Sequence, residues 1–245
     1  MESKCLFQIF QPLSYYRKWF FAVYLIIDKQ NLHIGGTCIL TSVHGKELHI
    51  ISNGKMAIEQ LVGIVKDIHP YITAIHIREK QKSARELFQT VELLTKNNIP
   101  LSKIMINDRA DVALVTGARG VQLAFHSLDA ASVKENFPQL RIGSSIHSYH
   151  EGLKTKEKGA DYVLYGHVFH SQSKPGKIPK GLEELKMLSN LDIDVIAIGG
   201  ITPDNTEQVL REGAKGIAVM SGVLEARDPL LAVKAYRKAL NKGGE

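Results

Sequence analysis

Cysteine is nearly absent from this chain, which has two cysteines among 245 residues. Both of them, Cys5 and Cys38, lie near the N-terminus, and their spacing is neither that of a metal site nor that of a redox pair. The rest of the chain therefore has no disulfide framework and no cysteine-ligated metal. A cysteine-free body is typical of proteins in a reducing compartment, so we expect a cytoplasmic protein.

Long hydrophobic runs are also missing. The apolar stretch at residues 19–27 has about half of the roughly 20 residues that a membrane helix needs. Arg17 and Lys18 precede it as they would in a signal peptide, but no small-residue cleavage site follows. We therefore expect no membrane span and no secretion.

No segment is dominated by charge of one sign. The formal net charge is +6, but the lysines and arginines are spread among acidic residues. No helix-turn-helix pattern or basic stripe is visible, so nucleic acid is not an expected partner. The positive surplus favours an anionic small molecule as the ligand.

What the chain does contain is a regular alternation of short β-branched runs with longer segments of helical spacing. The predicted strands are residues 48–52, 74–77, 104–106, 120–123, 141–144, 161–165, 194–198 and 216–219. The predicted helices are clearest at residues 82–97, where Ser83 is the expected N-cap, and at 204–212 and 230–240. Eight βα units predict an α/β fold, a (β/α)8 TIM barrel, ahead of a doubly wound open sheet.

Residues 1–45 stand outside this count. They hold eight of the chain's seventeen aromatic residues. We therefore divide the chain into a non-barrel N-terminal extension, residues 1–45, and a barrel domain, residues 46–245. The pattern leaves open whether the extension packs on the barrel, is a tail, or comes from a misplaced start.

Two Gly/Ser loops follow the last two predicted strands, where barrels of this type often bind phosphate. Gly199 and Gly200 come after the seventh strand, and Met220 and Ser221 come after the eighth. Backbone N–H groups of such turns suit a phosphate. A tight turn would explain the glycine pair by itself, but the presence of both loops favours phosphate binding.

Histidines follow the fifth and sixth predicted strands. His167 would lie at the carboxyl end of the barrel, and an imidazole both takes and gives a proton near neutral pH. Ser171, Ser173 and Lys174 follow in the same loop, and Lys174 offers a cation to an anionic substrate. A lone histidine is more often structural, but these neighbours favour a catalytic role. His147 would orient a ligand or cap locally.

Polar residues also follow the second and third strands. If the second strand continues, His76, Arg78 and Lys80 share one face and form a basic anion site, unless they are a solvated charge run. Asn107 closes the third strand. Asp108 would cap the next helix or bind a metal.

Several short motifs together carry a resemblance to a known family. They are HIREK, INDR, GVQL, IGSSIHS, ADYVLYGHVF, SQSK, IGGI and GIAVMSG. In this order and spacing they resemble the thiamine phosphate synthase superfamily over about residues 46–240, and more closely its TenI-type thiazole tautomerase branch. The resemblance implies a (β/α)8 fold and a ligand of the thiamine pathway that carries a phosphate.

The resemblance implies one of two activities. Synthases join a pyrimidine diphosphate to thiazole phosphate with Mg²⁺, whereas tautomerases move a proton in the thiazole phosphate carboxylate. A synthase typically has Gln at the position of His76, Pro at that of His167 and a metal-binding Asp at that of Ser127. We therefore expect a tautomerase without metal or organic cofactor. Asp108 would bind Mg²⁺ only if the chain is a synthase.

In the tautomerase branch the histidine of GHVF is the acid/base, and His167 matches it. The substrate is a dihydrothiazole, and moving its ring C2 proton to the exocyclic carbon gives the aromatic thiazole. The expected substrate-binding residues are Arg78, Lys80, Asn107, His147, Ser171, Ser173, Lys174, Gly199, Gly200, Met220 and Ser221. Gly199, Gly200, Met220 and Ser221 are assigned to the phosphate, and Arg78 and Lys174 to anionic groups.

Two alternatives stay open. One is a true thiamine phosphate synthase that tolerates the altered metal site, since Arg78, Lys80, Asn107, Asp108 and Lys174 also fit that reading. The other is a non-catalytic regulatory homologue. The expected partner is the small-molecule thiazole phosphate, and the oligomeric state is open, a homo-oligomer included.

Overall fold

Eight parallel strands close into a barrel in this computed structural model, which describes residues 45–171 and 176–242. The strands are β1 (Glu47–Ile51), β2 (Ala74–Ile77), β3 (Ile104–Asn107), β4 (Gly120–Leu123), β5 (Arg141–Ile146), β6 (Tyr162–Gly166), β7 (Asp194–Ile198) and β8 (Gly216–Val219). Each strand pairs with the next in sequence, and β8 pairs with β1. The predicted (β/α)8 fold is confirmed, with every predicted strand end within two residues of the observed one.

Helices follow the strands around the outside of the barrel. They are α1 (Ile58–Ile68), α2 (Ala84–Lys96), α3 (Ala110–Thr116), α4 (Ala130–Asn136), α5 (Tyr149–Glu157), α6 (Gly181–Ser189), α7 (Thr206–Arg211), α8 (Ser221–Leu224) and α9 (Pro229–Lys242). Short 3₁₀ turns, His69–Tyr71 and Leu101–Lys103, precede β2 and β3. In the part of the chain that the structure describes, no helix has the length and apolar character needed to cross a membrane.

The helix ends test two of the predicted boundaries. Ser83 caps α2 as predicted, because its Oγ accepts a hydrogen bond from Glu86 N while the Glu86 carboxylate accepts from Ser83 N. The seventh helix begins later than predicted, at Thr206. The preceding turn is closed by Asn205, whose Oδ1 accepts from the backbone N of Thr202 at 2.8 Å. The predicted helix, residues 204–212, therefore included two residues of the turn that precedes α7.

Alternation along the strands separates two cores. On β1, Leu48 and Ile50 face outward and pack with aliphatic side chains of the helices. His49 and Ile51 face inward, where Ile51 belongs to a smaller apolar cluster. Because both faces of a strand in a closed parallel barrel are buried, both cores contribute to stability.

The amino-terminal part of the barrel interior is polar. Arg141 donates two hydrogen bonds of 2.9 Å to the carboxylate of Glu47, and Nε2 of His49 lies 2.6 Å from the same carboxylate. The His49 and Tyr162 rings meet edge to face, with their centres 5.5 Å apart. The Arg141 guanidinium lies 4.5 Å from the centre of the Tyr162 ring. We call Glu47, His49, Arg141 and Tyr162 the barrel floor.

The floor requires one small residue on β5. A Cβ on Gly143 would lie 2.2 Å from Cζ of Tyr162, which real structures do not allow. Its absence lets the Tyr162 hydroxyl donate a hydrogen bond of 2.7 Å to Oε1 of Gln122. Gln122 in turn donates to Oγ of Ser145 at 3.0 Å. Polar contacts therefore continue from the floor toward the carboxyl ends of the strands.

Candidate active site

A cavity of about 530 Å³ opens at the carboxyl ends of the strands. This volume suits a small-molecule ligand. Its basic lining residues, among those described, are His76, Arg78, Lys80, His126, His147, His167 and His170. No Asp or Glu is found in this described lining. We call the cavity the barrel mouth, and its mixture of imidazoles and cations suits an anionic ligand.

His167 follows β6 directly and lines the mouth although only 4% of the residue is exposed. Its Nε2 lies 3.3 Å from the carbonyl oxygen of Lys177, and a carbonyl only accepts, so we assign the hydrogen to Nε2. Nδ1 of the neutral ring then carries a lone pair. It is buried and has no hydrogen-bond partner in the described part of the chain. A ring nitrogen with a lone pair is a group that can accept a proton.

The glycine pair after β7 supports the loop that carries His167. Gly199 and Gly200 have φ values of 97° and 67°, which favour glycine. A Cβ on Gly199 would lie 2.3 Å from Cβ of His167, and one on Gly200 would lie 2.3 Å from the carbonyl oxygen of His170. The positive φ values and the close approaches agree with the interpretation of this pair as a tight turn.

Phosphate-binding capacity remains beside that turn. Gly200 closes one side of the mouth, and Ser221 and Gly222 begin α8 on the other side. Within the described ranges, the backbone N–H groups of these three residues donate no hydrogen bond. Met220 also lines the mouth. Unused N–H groups at adjacent loops are the donors that a phosphate needs.

The second predicted cluster divides into two parts. Arg78 and Lys80 line the mouth, and neither forms an ion pair with an acidic residue in the described part of the chain. Asn107 lines the mouth beside them. His76 does not belong to this basic cluster. Burial, together with the nearby His49 and Arg141, lowers the pKa of His76 well below its usual value, so its ring is neutral.

The remaining predicted ligand residues have different outcomes. His147 lines the mouth, and its Nδ1 lies 2.6 Å from the carbonyl oxygen of Gly166, which leaves Nε2 as an acceptor. It does not cap α5, because Ser148 is the N-cap. Ser171 lines the mouth. Ser173 and Lys174, like the extension before residue 45, lie outside the described residues.

The two positions relevant to Mg²⁺ do not fit a metal site. Asp108 is not part of the mouth lining, and its carboxylate lies 3.9 Å from Nε2 of His126. The capping prediction for Asp108 is wrong, because Arg109 occupies the N-cap position of α3. Ser127 accepts a hydrogen bond of 2.8 Å from Ala124 N and closes the loop after β4. The described mouth thus offers no carboxylate to Mg²⁺.

Sequence reasoning missed several residues of this region. His126 and His170 line the mouth, but single histidines in loops carry no pattern. Glu47 was also missed, because the first strand was predicted to begin one residue too late, and His49 lay inside the predicted strand but was not singled out. An acidic residue and a histidine two apart in a strand do share one face, and this spacing was the available signal.

The closed barrel, with its polar cavity at the carboxyl ends of the strands, defines a protein of the (β/α)8 class, in which that end carries the functional site. The sequence model of the TMP-TENI family, described as thiamine monophosphate synthase, matches residues 48–223. The chain therefore belongs to this family of enzymes of thiamine biosynthesis.

Individual relatives agree with this assignment. The chain is 40% identical over 174 residues to a thiamine-phosphate synthase of Pyrococcus furiosus, covering 69% of this chain and 83% of that protein. It is also 40% identical over 175 residues to a thiamine-phosphate synthase of Chlorobium luteolum, covering 68% and 81%. Among solved structures, thiamine phosphate pyrophosphorylase from Pyrococcus furiosus matches with a TM-score of 0.68 and 33% identity, over 80% of this chain and 96% of that one.

Proposed function

We propose that this chain is a thiazole tautomerase, which converts the dihydrothiazole phosphate carboxylate into the aromatic thiazole phosphate carboxylate. The observation that carries the proposal is the composition of the mouth. It combines a histidine that has an unpartnered ring nitrogen with two cations, and its described lining has no carboxylate. This set suits proton transfer on an anionic substrate better than Mg²⁺-assisted diphosphate chemistry.

The substrate has two anionic groups, and the mouth has two kinds of anion donor. The unused N–H groups of Gly200, Ser221 and Gly222 would hold the phosphate. Arg78 and Lys80 would bind the carboxylate as charged donors. With both ends held, the dihydrothiazole ring lies between them and beside His167.

Proton transfer then needs one base. Nδ1 of His167 removes the proton from ring C2, and the electron pair moves through the conjugated system toward the exocyclic carbon. The resulting imidazolium returns the proton to that carbon, so the histidine ends as it began. Formation of the aromatic ring drives the reaction, and no atom is gained or lost.

A thiamine phosphate synthase is the second candidate. It is favoured by the names of the relatives, which are synthases at 40% identity. Such an enzyme couples hydroxymethylpyrimidine diphosphate to thiazole phosphate and releases diphosphate with Mg²⁺. The lining of the described mouth argues against a synthase, because Asp108 lies outside it. Ser127, at the position of the second metal ligand, accepts a hydrogen bond from Ala124 N within its own loop.

One pair of assays separates the two candidates. The purified full chain is incubated with the dihydrothiazole phosphate carboxylate, and the aromatic product is followed by proton NMR. A second sample receives hydroxymethylpyrimidine diphosphate, thiazole phosphate and Mg²⁺, and the release of diphosphate is measured. His167→Ala is the matched control for the first assay, because it shows how much of the rearrangement depends on the proposed base.

Each outcome has a definite meaning. Catalysed rearrangement that depends on His167, without release of diphosphate, supports the tautomerase. Diphosphate release with no acceleration of the rearrangement assigns the chain to the synthases. Binding of the thiazole phosphate carboxylate with neither reaction would indicate the non-catalytic alternative and overturn the proposal.

A further inference from the structure

His147 connects the end of β5 to the residue that precedes His167. Nδ1 of His147 lies 2.6 Å from the carbonyl oxygen of Gly166, and a carbonyl only accepts, so Nδ1 carries the hydrogen. The backbone pairing of β5 with β6 ends at Ile146 and Tyr165. The imidazole therefore ties the two strands together one residue beyond their last backbone pair. The proposed reaction assigns no step to this contact.

Gly166 is a residue at which such a hydrogen bond has a large effect. A Cβ at this position would lie 2.1 Å from the carbonyl oxygen of Ile198, so only glycine fits. Glycine restricts its own backbone less than any other residue. The carbonyl that His147 holds and the backbone nitrogen of His167 belong to one peptide unit, which is planar. A fixed carbonyl therefore restricts the direction in which the His167 side chain leaves the backbone.

Two further contacts of His167 come from the loop that follows it. Its carbonyl oxygen accepts a hydrogen bond of 2.9 Å from Lys180 N, and its Nε2 lies 3.3 Å from the carbonyl oxygen of Lys177. Both lysines lie between β6 and α6. A distance of 3.3 Å is long for an N–H···O bond. The bond from His147 is shorter and starts at the end of a barrel strand, so it restrains the site more firmly than the contact from Lys177 does.

His147 is itself held by the first turn of α5. Its backbone N donates a hydrogen bond of 2.6 Å to Oε2 of Glu151, and the backbone N of Glu151 donates to Oγ of the N-cap Ser148. The side chain of His147 is exposed and lines the mouth. Because the hydrogen on Nδ1 is donated to the Gly166 carbonyl, that nitrogen is not available to a ligand.

We propose that His147 is a positioning residue for His167, in which the hydrogen bond from Nδ1 to the Gly166 carbonyl sets the place and direction of the His167 ring in the mouth. The role of His167 as the base rests on the proposed function, whereas the hydrogen bond and its effect on the ring do not. A displacement of about 1 Å in a reacting group can lower a rate about 100-fold, so one restraint of this kind is sufficient to affect catalysis. This role differs from the orienting and capping roles that the sequence predicted.

The hydrogen bond is tested first, on the free full-length protein labelled with ¹⁵N-histidine. Long-range ¹H–¹⁵N correlation spectra separate the two neutral tautomers of a histidine. At about pH 9, above the range in which an ordinary histidine titrates, we expect a neutral His147 ring with its hydrogen on Nδ1. Hydrogen on Nε2 alone would exclude a bond to the carbonyl and would overturn the proposal without any measurement of activity.

Two substitutions of nearly equal size separate the hydrogen bond from the bulk of the side chain. His147→Asn keeps an N–H donor bonded to Cγ, as Nδ1 is in histidine, whereas His147→Leu has no donor there. We expect the His167 ring resonances to stay near their wild-type positions in His147→Asn and to shift or split in His147→Leu. His150→Ala, on the exposed surface of α5, is the control for loss of a histidine. Circular dichroism checks the fold, and unchanged His167 resonances in folded His147→Leu would show that His147 does not position the ring.

Kinetics of the tautomerisation distinguish positioning from binding. We expect His147→Leu to lower kcat about tenfold, an effect of one hydrogen bond, and to change KM by less than about twofold. His147→Asn should lower kcat by about threefold or less, because its amide restores the donor. A raised KM with unchanged kcat in His147→Leu would make His147 a ligand-binding residue. Equal losses of kcat in the two variants would remove the donor role, and either result overturns the proposal.

The spectra and the rates together distinguish failure of this inference from failure of the proposed function. If the wild type has no tautomerase activity but the His167 ring responds to His147→Leu and not to His147→Asn, only the proposed function fails. If the wild type is active and the His167 ring does not respond to His147→Leu, the proposed function stands and the positioning role of His147 is wrong.

Discussion

The barrel floor and the barrel mouth both contain inward-facing residues of the strands, yet their buried polar groups differ in whether they have hydrogen-bond partners. On the floor, the carboxylate of Glu47 is hydrogen-bonded to His49 and to Arg141 within 3 Å. In the mouth, His167 and His76 each have a buried ring nitrogen without a partner among the described residues. Unused hydrogen-bonding capacity therefore distinguishes the mouth from the floor, although the side chains of His69 and Ser189, outside the mouth lining, also have a buried atom without a partner among the described residues.

The difference has an energetic consequence. A buried ion pair adds little net stability over apolar packing, but removal of one partner leaves a charge in a medium of low dielectric constant. Floor residues should therefore affect folding, and mouth residues should affect activity. Variants in the two regions test this separation.

The largest effect is expected from His167→Ala in the mouth. Loss of the acid/base should lower the tautomerisation rate by about 10²–10⁴-fold, the usual contribution of a positioned proton-transfer group. Folding should persist, because Nδ1 of His167 has no partner in the described structure. The rate is followed by product NMR and the fold by circular dichroism. His150→Ala, on the exposed surface of α5 and outside the mouth lining, is the control. Near wild-type turnover of His167→Ala would remove His167 from the mechanism.

Glu47→Ala on the floor should have the largest effect on stability. It leaves Arg141 buried without its carboxylate, so we expect the free energy of unfolding in urea to fall by about 3–5 kcal/mol. Glu207→Ala is the control, because Glu207 pairs with Arg211 on the surface of α7 and should contribute about 0.5 kcal/mol or less. Similar losses in the two variants would show that the floor pair is not different from a surface pair.

Acid should weaken the floor through the same carboxylate. Burial by itself raises the pKa of Glu47. Hydrogen bonds and charge interactions with His49 and Arg141 lower the pKa by more than burial raises it, so the net shift is downward. A lowered carboxyl pKa adds stability above the unfolded pKa of about 4.3, and this contribution is lost as pH falls below that value. Glu47→Gln should therefore show a smaller loss of unfolding free energy between pH 6 and pH 3 than wild type. Parallel losses would contradict this assignment.

The smallest effect is expected from removal of metal ions. No carboxylate belongs to the mouth lining that the structure describes, so tautomerase activity should be unchanged by EDTA. The measurement compares initial rates before and after chelation. A loss that Mg²⁺ restores would count for the synthase alternative.

The sequence predicted the features that depend on local pattern. Strand positions followed from β-branched runs, and the N-cap at Ser83 followed from a serine placed directly before a segment of helical spacing. The same patterns located Arg78, Lys80 and the loops after β7 and β8, because side chains at strand ends gather at one end of a parallel barrel. The boundary between the extension and the barrel stays a prediction.

The sequence did not predict the roles of residues whose surroundings are set by other parts of the chain. Asp108 precedes a helix in the way that a capping residue does, but its backbone is left-handed, with φ of 68°, and Arg109 takes the cap position. The prediction put His76 on one strand face with Arg78 and Lys80, but β2 ends at Ile77. His76 instead lies 3.0 Å from a ring nitrogen of His49 on β1, and burial lowers its pKa. Spacing along one strand does not show what the next strand contributes.

By itself, the sequence determined the eight βα units and the end of the barrel that holds the polar residues, since both follow from periodicity within short segments. Only the tertiary structure decided which of those polar residues are satisfied. Arg141 and Glu47 are 94 residues apart in the chain and meet only because the barrel closes. Closure places opposite charges in one buried layer, and hydrogen bonds connect that layer through His49 to His76 at the mouth.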